Sequence, residues 1–414
     1  MTGPWNTGEM RVLVPVAGLL VLAFIGYIKG APLISASPID LTLVGAAIVS
    51  GTLLLRAPEV LRMRGLAPLV LLYIALLIGA VPSGPATDYS STKVLQIAAL
   101  VPLCLLGGRA ILGTERARGM WLRGIVALGI IIAALAFAFP DDVAAESGRV
   151  SIEGGNTIGA GRGVGAAVTV LAIWALHGTR RRVTSIAVAA GLVLVLLLIG
   201  SRGPILAVAA AITAATLLSR QPEKPTRMLL AGLGIVAAAW FAITRSDTLS
   251  ARLFTLQDNS SDARRYIWAE TLDTARENPL GIGWGQLYAY MRPGYMLDSG
   301  VTQYPHNLVL EILVEAGWVP AVIVVGVIGY VLVLQRRATV TTTETAMLAL
   351  LVFALVSAMV SGDVPSNREV WVAVGAASVW AGQVIEAPRP TGPAAERTRY
   401  LPASLRSGLR RSSR

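Results

Sequence analysis

The chain has 414 residues, of which 54% are hydrophobic and only 14% are charged. Soluble globular domains carry roughly 25% charged residues, so the composition excludes an ordinary soluble protein and indicates an integral membrane protein. The formal net charge of +11 is explained by basic cytoplasmic loops that face anionic lipid headgroups. Because the arginine-rich tail contains a single aromatic residue, Tyr400, and no repeated interleaving of aromatic residues, we expect no nucleic acid partner.

Repeated apolar runs predict an all-α polytopic membrane protein with about 12 transmembrane helices. A helix needs about 20 apolar residues to cross about 30 Å of hydrocarbon, and the ends of the predicted spans are uncertain by a few residues. The predicted spans cover residues 12–28, 41–55, 66–81, 94–112, 121–139, 164–176, 183–199, 204–218, 228–244, 307–334, 343–360 and 370–385.

The connections between the spans predict their orientation. Alternate connections are rich in Arg and Lys, which is typical of cytoplasmic loops, so both termini are expected in the cytoplasm. We divide the chain into nine spans in residues 1–244, a long external loop at 245–305, three spans in 306–385, and a basic, disordered tail at 386–414.

The long external loop contains a predicted amphipathic helix. The segment from 245 to 303 exceeds the usual length of a connection, and such loops are typically functional. Ser261 or Asp262 is expected to cap a helix through ARRYIWAETLDTARE that stops before Pro279. Arg264 and Arg265 would then lie in the first turn, where cations oppose the helix dipole unless an anion is nearby.

Three glycines follow that helix in NPLGIGWGQLYAY. Gly281, Gly283 and Gly285 permit a tight backbone that can approach another group closely. This segment is therefore expected to form a wall of a site.

Two arginines lie at the predicted outer ends of spans. Arg202, in IGSRGPILA, stands at the tip of a helical hairpin with almost no loop. An arginine at this depth either binds an anionic partner or extends to the headgroups, and spacing favours neither. Arg162, in GAGRGVG, occupies a similar place, and interfacial anchoring is its simpler explanation.

The stretch QYPHNLVLEILVEAGW carries one of the two histidines in the chain, His306, followed by Asn307. Glu311 and Glu315 have i, i+4 spacing and share one helix face. An isolated histidine is more often structural, but this one follows the long loop on the side of the arginines. Arginine binds diphosphate bidentately, and histidine can take a proton from an attacking hydroxyl. The set indicates group transfer from a lipid-linked diphosphate.

The order of these motifs resembles the O-antigen ligase and polymerase superfamily of bacterial envelope glycan assembly. The motifs are SRG closing a hairpin, an arginine four residues before a tryptophan, NPLGIGWG, HN opening a span, and E-x-G downstream. The detailed resemblance covers residues 199–317. It implies a GT-C-like membrane fold and a glycosyltransferase that uses a polyprenyl-diphosphate glycan and neither a metal nor a cofactor.

The resemblance also implies residue roles. Arg202 and Arg264 would hold the donor diphosphate, with Arg265 as the alternative to Arg264. His306 would orient or deprotonate the acceptor hydroxyl, with inversion at the anomeric carbon. Glu315 matches the acid of E-x-G and would have a structural role.

Further substrate-binding candidates are Arg162, Trp268, Asn307 and Gly283. The expected partners are the lipid-linked donor, a glycan or glycolipid acceptor, membrane lipids and other envelope-assembly proteins. The enzyme is expected in the bacterial cytoplasmic membrane with its active site at the outer face. No D-x-D motif is seen, although Asp262 and Asp363 stay as candidate metal ligands.

Three alternatives stay open. A polysaccharide polymerase of the same superfamily would share all of these motifs. A lipid-linked glycan flippase would be expected to have internal repeats and broken helices in both halves, and no self-similarity is seen in the sequence. A non-catalytic scaffold of a glycan assembly complex would keep the fold without needing the histidine and arginines.

Overall fold

The structure is a computed structural model that describes residues 7–63, 65–81, 87–142, 149–177, 182–219, 259–291 and 304–380, with the side chains of 7, 8, 33 and 259–263 excepted. In these ranges the chain is helical and contains no strand, apart from one isolated bridge between Pro140 and Ile152. The α-helices are α1 Thr7–Phe24, α2 Pro32–Ser35, α3 Leu41–Leu55, α4 Ala57–Arg62, α5 Ala67–Ile78, α6 Asp88–Ile111, α7 Glu115–Ala138, α8 Thr157–His177, α9 Arg182–Ile199, α10 Arg202–Leu218, α11 Asn259–Glu277, α12 Leu287–Tyr290, α13 Leu308–Glu315, α14 Trp318–Ala338, α15 Thr342–Ala358 and α16 Arg368–Ala377, with a 3-10 turn at Ile25–Tyr27.

Local sequence explains where several helices begin. Thr87 forms a capping box with Ser90: its hydroxyl accepts from the Ser90 N–H at 3.0 Å, and its own N–H donates to the Ser90 hydroxyl at 2.8 Å. Thr114 and Thr341 cap α7 and α15 through their hydroxyls. Such caps satisfy backbone N–H groups that have no partner inside the helix.

Six of the described helices are long and apolar enough to cross a membrane, namely α1, α6, α7, α8, α9 and α14. Four shorter apolar helices accompany them, α3, α5, α10 and α15. These helices support a polytopic membrane protein. The predicted span at 228–244 lies outside the described residues, and the total of about twelve crossings stays a prediction.

Helix α8 is the centre of the bundle. It packs against α7, α9, α10 and α15, while α6 packs against α16. Gly129 on α7 faces α8, where a Cβ would lie 3.2 Å from the Gly163 carbonyl oxygen and would collide with the Ala167 side chain. Small residues let membrane helices approach closely, so these glycines bring the helices together.

The continuous span predicted at 307–334 is wrong, because the chain breaks there into α13 and α14. Gly317 has φ of 102°, which an α-helix cannot contain. Two carbonyls at the break accept hydrogen bonds from the glycine-rich segment: Ile282 N–H donates to Val314 at 3.0 Å, and Gly283 N–H donates to Glu315 at 2.9 Å. Irregular backbone at membrane depth is tolerated where protein satisfies it in this way.

The predicted loop helix exists as α11 and ends at Glu277 before Pro279, as predicted. Its start was predicted wrongly. The helix begins at Asn259, so Ser261 and Asp262 lie within it and Arg264 falls in the second turn. Residues 245–258 and 292–303 of the predicted external loop lie outside the described residues.

Candidate functional site

His306 stands at the junction between the long loop and α13. It has φ of 54°, and it is the non-glycine residue with positive φ in the described part of the chain. The indole N–H of Trp268 on α11 donates to the Pro305 carbonyl at 2.6 Å. The Tyr304 ring lies against the imidazole with 4.6 Å between centroids. These contacts fix the histidine between α11 and α13.

Asn307 begins α13. Its side-chain oxygen accepts from the N–H groups of Val309 and Leu310, both at 3.1 Å. An asparagine cap of this kind sets the direction in which the helix starts. Asn307 therefore orients the backbone at the start of α13, next to His306. The predicted contact of Asn307 with substrate stays a prediction.

The surroundings of His306 favour the neutral imidazole. The side chain is half-buried, and its Nδ1 is buried with no hydrogen-bond partner among the described residues. Burial, followed by the positive charge of Arg264, lowers the pKa of His306 from 6.5 to about 4. A neutral imidazole can accept a proton from a hydroxyl. The strained backbone is typical of functional sites.

Arg264 and Arg265 differ in their surroundings. Arg264 is half-buried and Arg265 is exposed. The charge of Arg264 contributes to the lowered pKa of His306, whereas Arg265 is not among its causes. Arg264 also precedes Trp268 by four residues, so both lie on one face of α11. The described contacts therefore favour Arg264 as the arginine that accompanies His306.

Arg202 is the first residue of α10, and Gly200 with φ of 68° closes the predicted hairpin with α9. Helix α10 meets α8 here, since a Cβ on Gly161 would lie 3.3 Å from the Ser201 Cβ. Gly161 directly precedes Arg162, whose charge also lowers the pKa of His306. Arg202 therefore lies at the same end of the bundle as Arg162 and His306.

Arg162 is buried within the protein, so the expectation of simple interfacial anchoring is wrong. Its NH1 donates to Asn367 Oδ1 at 2.8 Å and to Glu369 Oε1 at 3.1 Å. Its NH2 donates to the carbonyls of Ser357 and Ser361, both at 2.7 Å. These four acceptors belong to the end of α15, the following loop and the start of α16. Arg162 thus holds that loop in place.

Glu315 has a partner that the sequence interpretation missed. The Lys93 ammonium on α6 lies 2.7 Å from Glu311 Oε1 and also binds Glu315 Oε2. All three side chains are buried, with at most 1% of their surface exposed. The predicted span began at residue 94 and so left Lys93 outside. The available signal was the pair of carboxylates in an apolar run, since such a pair needs a cation.

Gly283 contributes its backbone to the helix break. Its φ is 89°, and its N–H donates to the Glu315 carbonyl. The neighbouring Trp284 is anchored to α5, because its indole N–H donates to the Leu76 carbonyl at 2.9 Å. The glycine-rich segment thus forms a wall that packs on the break between α13 and α14.

Among the described residues, no group of three or more His, Cys, Asp or Glu side chains could hold a metal ion. The Asp363 carboxylate accepts from the Ser366 N–H at 3.0 Å within its own loop. The side chain of Asp262 lies outside the described residues. The expectation of a metal-independent reaction stays a prediction.

The fold and this cluster define a polytopic α-helical membrane protein with arginines and a histidine gathered at one end of its helices. Residues 186–325 match the family model described as O-antigen ligase. This match confirms the resemblance to the O-antigen ligase superfamily over about a third of the chain, and a comparison with curated proteins finds no match. Arg162 and Lys93 lie outside the matched region, which contains Arg202, Arg264, Arg265, Trp268, Gly283, His306, Asn307 and Glu315.

Proposed function

We propose that this chain is a glycosyltransferase of the O-antigen ligase type. It transfers a glycan from a polyprenyl-diphosphate donor to a hydroxyl acceptor at the outer face of the bacterial cytoplasmic membrane, in envelope polysaccharide assembly. The proposal rests on the placement of half-buried His306 between α11 and α13, with a strained backbone and with its pKa lowered by burial and by the charge of Arg264, within the region that matches the family model.

The proposed reaction is a single displacement. The acceptor oxygen attacks the anomeric carbon while the bond from that carbon to the diphosphate oxygen breaks, and the diphosphate leaves with the bonding electrons. Attack from the opposite face inverts the anomeric configuration. His306 orients the acceptor hydroxyl and takes its proton. Its lowered pKa keeps the imidazole neutral and able to accept a proton, but it also makes the ring a weaker base than an ordinary histidine, so orientation of the hydroxyl is part of its role.

Arg202 and Arg264 would bind the diphosphate and stabilise the charge that develops on it. Guanidinium groups suit this role because they donate two parallel hydrogen bonds to phosphate oxygens and stay charged. Because a diphosphate is already a good leaving group, fixed positive charge and orientation of the acceptor supply the main catalytic effects. We propose on this basis that the reaction is metal-independent.

The remaining candidates have supporting roles in this proposal. Trp268 and Asn307 position His306 through the contacts described above, and Glu315 anchors α13. Arg265 and Gly283 line the approach of the donor or acceptor, whereas Arg162 stabilises the loop that follows α15. The acceptor is a glycan or glycolipid, and other envelope-assembly proteins are candidate partners. The fold is proposed to be GT-C-like.

The test uses purified protein in lipid nanodiscs with a polyprenyl-diphosphate glycan and a panel of acceptors. Wild type should release polyprenyl diphosphate only when an acceptor is present, while Arg202→Ala and His306→Ala should release little. Arg276→Ala is the matched control, because Arg276 lies on α11 but is exposed and paired with Asp273 at 2.7 Å. Absence of release with every acceptor, together with donor movement between the leaflets of sealed proteoliposomes that contain the protein, would instead identify a transporter.

The length of the product tests the alternative within the superfamily. A ligase adds the glycan once, so one product should appear. A polymerase would give a ladder of products from the same donor and the same residues.

A further inference from the structure

A second buried cluster lies next to the proposed active site and has no part in the reaction as described. It consists of Lys93 on α6 and of Glu311 and Glu315 on α13, held together by the ion pairs given above. The Lys93 ammonium lies 5.4 Å from the ring centre of Trp284 and 5.6 Å from that of Tyr89. Buried charges are retained when they are paired in this way, and losing one partner is strongly unfavourable.

The cluster joins three parts of the protein. Glu311 Oε1 also accepts from the Val364 N–H at 3.1 Å, and Val364 belongs to the loop that Arg162 holds. Glu311 and Glu315 are one turn apart, so a single ammonium group contacts both from the same side. Lys93 therefore fixes the rotation of α13 about its own axis and also the position of α13 along α6.

Helix α13 depends on such contacts for its position. It has eight residues and is separated from α14 by the break at Gly317, so the longer helix does not hold it in line. Isolated helices of this length are marginal in stability, and tertiary contacts decide where they sit. His306 and Asn307 immediately precede α13, and the Glu311 N–H donates to the Asn307 carbonyl at 2.9 Å. A shift of α13 would therefore move His306.

We propose that Lys93 is a positioning residue that sets the place of the His306 imidazole through its ion pairs with Glu311 and Glu315. The catalytic consequence rests on the proposed function, whereas the positional consequence does not. Lys93 acts by holding α13 against α6, and it has no direct contact with substrate in this account.

The positional consequence is measured with a chemical probe of histidine. The chain has only two histidines, so His177→Gln leaves His306 as the sole histidine, provided that the affinity tag contains none. Diethyl pyrocarbonate should modify half-buried His306 slowly in this background. Adding Lys93→Met should raise the rate several-fold, and Lys93→Arg should restore most of the protection. Lys29→Met is the matched control, since the Lys29 pair with Asp40 is exposed, and it should leave the rate unchanged.

A second variant tests the same inference in case Lys93→Met does not fold. Changing Lys93→Met together with Glu311→Gln and Glu315→Gln removes all three charges, so no buried charge is left unpaired. This triple variant should fold and still show fast modification of His306. A well-folded triple variant in which His306 keeps wild-type protection would overturn the inference.

The catalytic consequence is measured by turnover in two backgrounds. With His306 present, Lys93→Met should lower kcat several-fold and leave the donor KM unchanged. With His306→Ala, it should have no further effect, because the residue through which it acts is absent. An equal loss in both backgrounds would overturn the positioning role. If wild type transfers no glycan at all, the proposed function fails, while the histidine modification rates still decide the positional inference.

Discussion

Replacing Arg264 with glutamine should raise the pKa of His306, but not to the ordinary value of an exposed histidine. Three effects lower this pKa from 6.5 to about 4: burial of the ring, which is the largest, and the positive charges of Arg264 and Arg162. Glutamine removes the charge of Arg264 but leaves the burial and the charge of Arg162. The new pKa should therefore lie between about 4 and 6.5.

The difference between a pKa of about 4 in the folded protein and 6.5 in the unfolded chain makes the stability of the protein depend on pH. With a pKa of about 4, His306 is only about one-tenth protonated at pH 5, whereas a histidine with the ordinary value is almost fully protonated there. The unfolded chain therefore binds more protons than the folded protein between pH 6.5 and 4. The contribution of His306 to stability is complete above pH 6.5 and declines as the pH falls towards 4. It amounts to at most about 3 kcal/mol, and water that reaches the ring lowers this figure.

The assay is an NMR titration of the His306 ring in nanodiscs, with His177→Gln to remove the second histidine signal. The wild-type midpoint should lie near pH 4 and that of Arg264→Gln should be higher. Arg265→Gln is the matched control and should keep the wild-type midpoint, because Arg265 is not among the causes of the shift. A wild-type midpoint near 6.5, or an equal shift in both arginine variants, would refute the reasoning.

Three further predictions concern catalysis and folding. His306→Ala should lower kcat by about 10²–10⁴-fold with little change in donor affinity, as measured by initial rates and donor binding; a loss confined to binding would instead assign His306 to the diphosphate site. Gly317→Ala should lower the melting temperature, because φ is 102° and a Cβ would lie 2.7 Å from the Leu280 carbonyl. Gly326→Ala on α14 is the control and should leave the melting temperature unchanged, because a Cβ there faces open space. Equal melting temperatures for the two variants would contradict the explanation of the helix break. A chelator should leave glycan transfer unchanged, and a loss that a divalent cation restores would contradict the metal-independent mechanism.

The helices themselves were largely predictable from sequence, and their irregular ends were not. The predicted span at 41–55 coincides with α3, because a continuous apolar run leaves little choice of structure. The break at Gly317 was missed because EAGW lies inside an apolar run. It becomes favourable only when the distant segment that contains Gly283 supplies N–H donors, and hydropathy along one segment contains no such information.

The candidate site was predictable in part for a similar reason. His306, Arg264 and Trp268 belong to motifs that can be read along the chain, and the structure brings them together. Lys93 and its partner Glu315 are 222 residues apart, so their pairing depends on how α6 packs in the bundle. The sequence indicated that buried carboxylates needed a cation, but it did not indicate which one.

The most direct test of the central claim is a count of products in one reaction, with wild type and His306→Ala compared at equal amounts of folded protein. Wild type should release one polyprenyl diphosphate for each glycan that appears on the acceptor, and His306→Ala should release almost none. Equal release by both proteins, or donor consumption without a glycosylated acceptor, would contradict the assignment of His306 as the base of a glycosyl transfer.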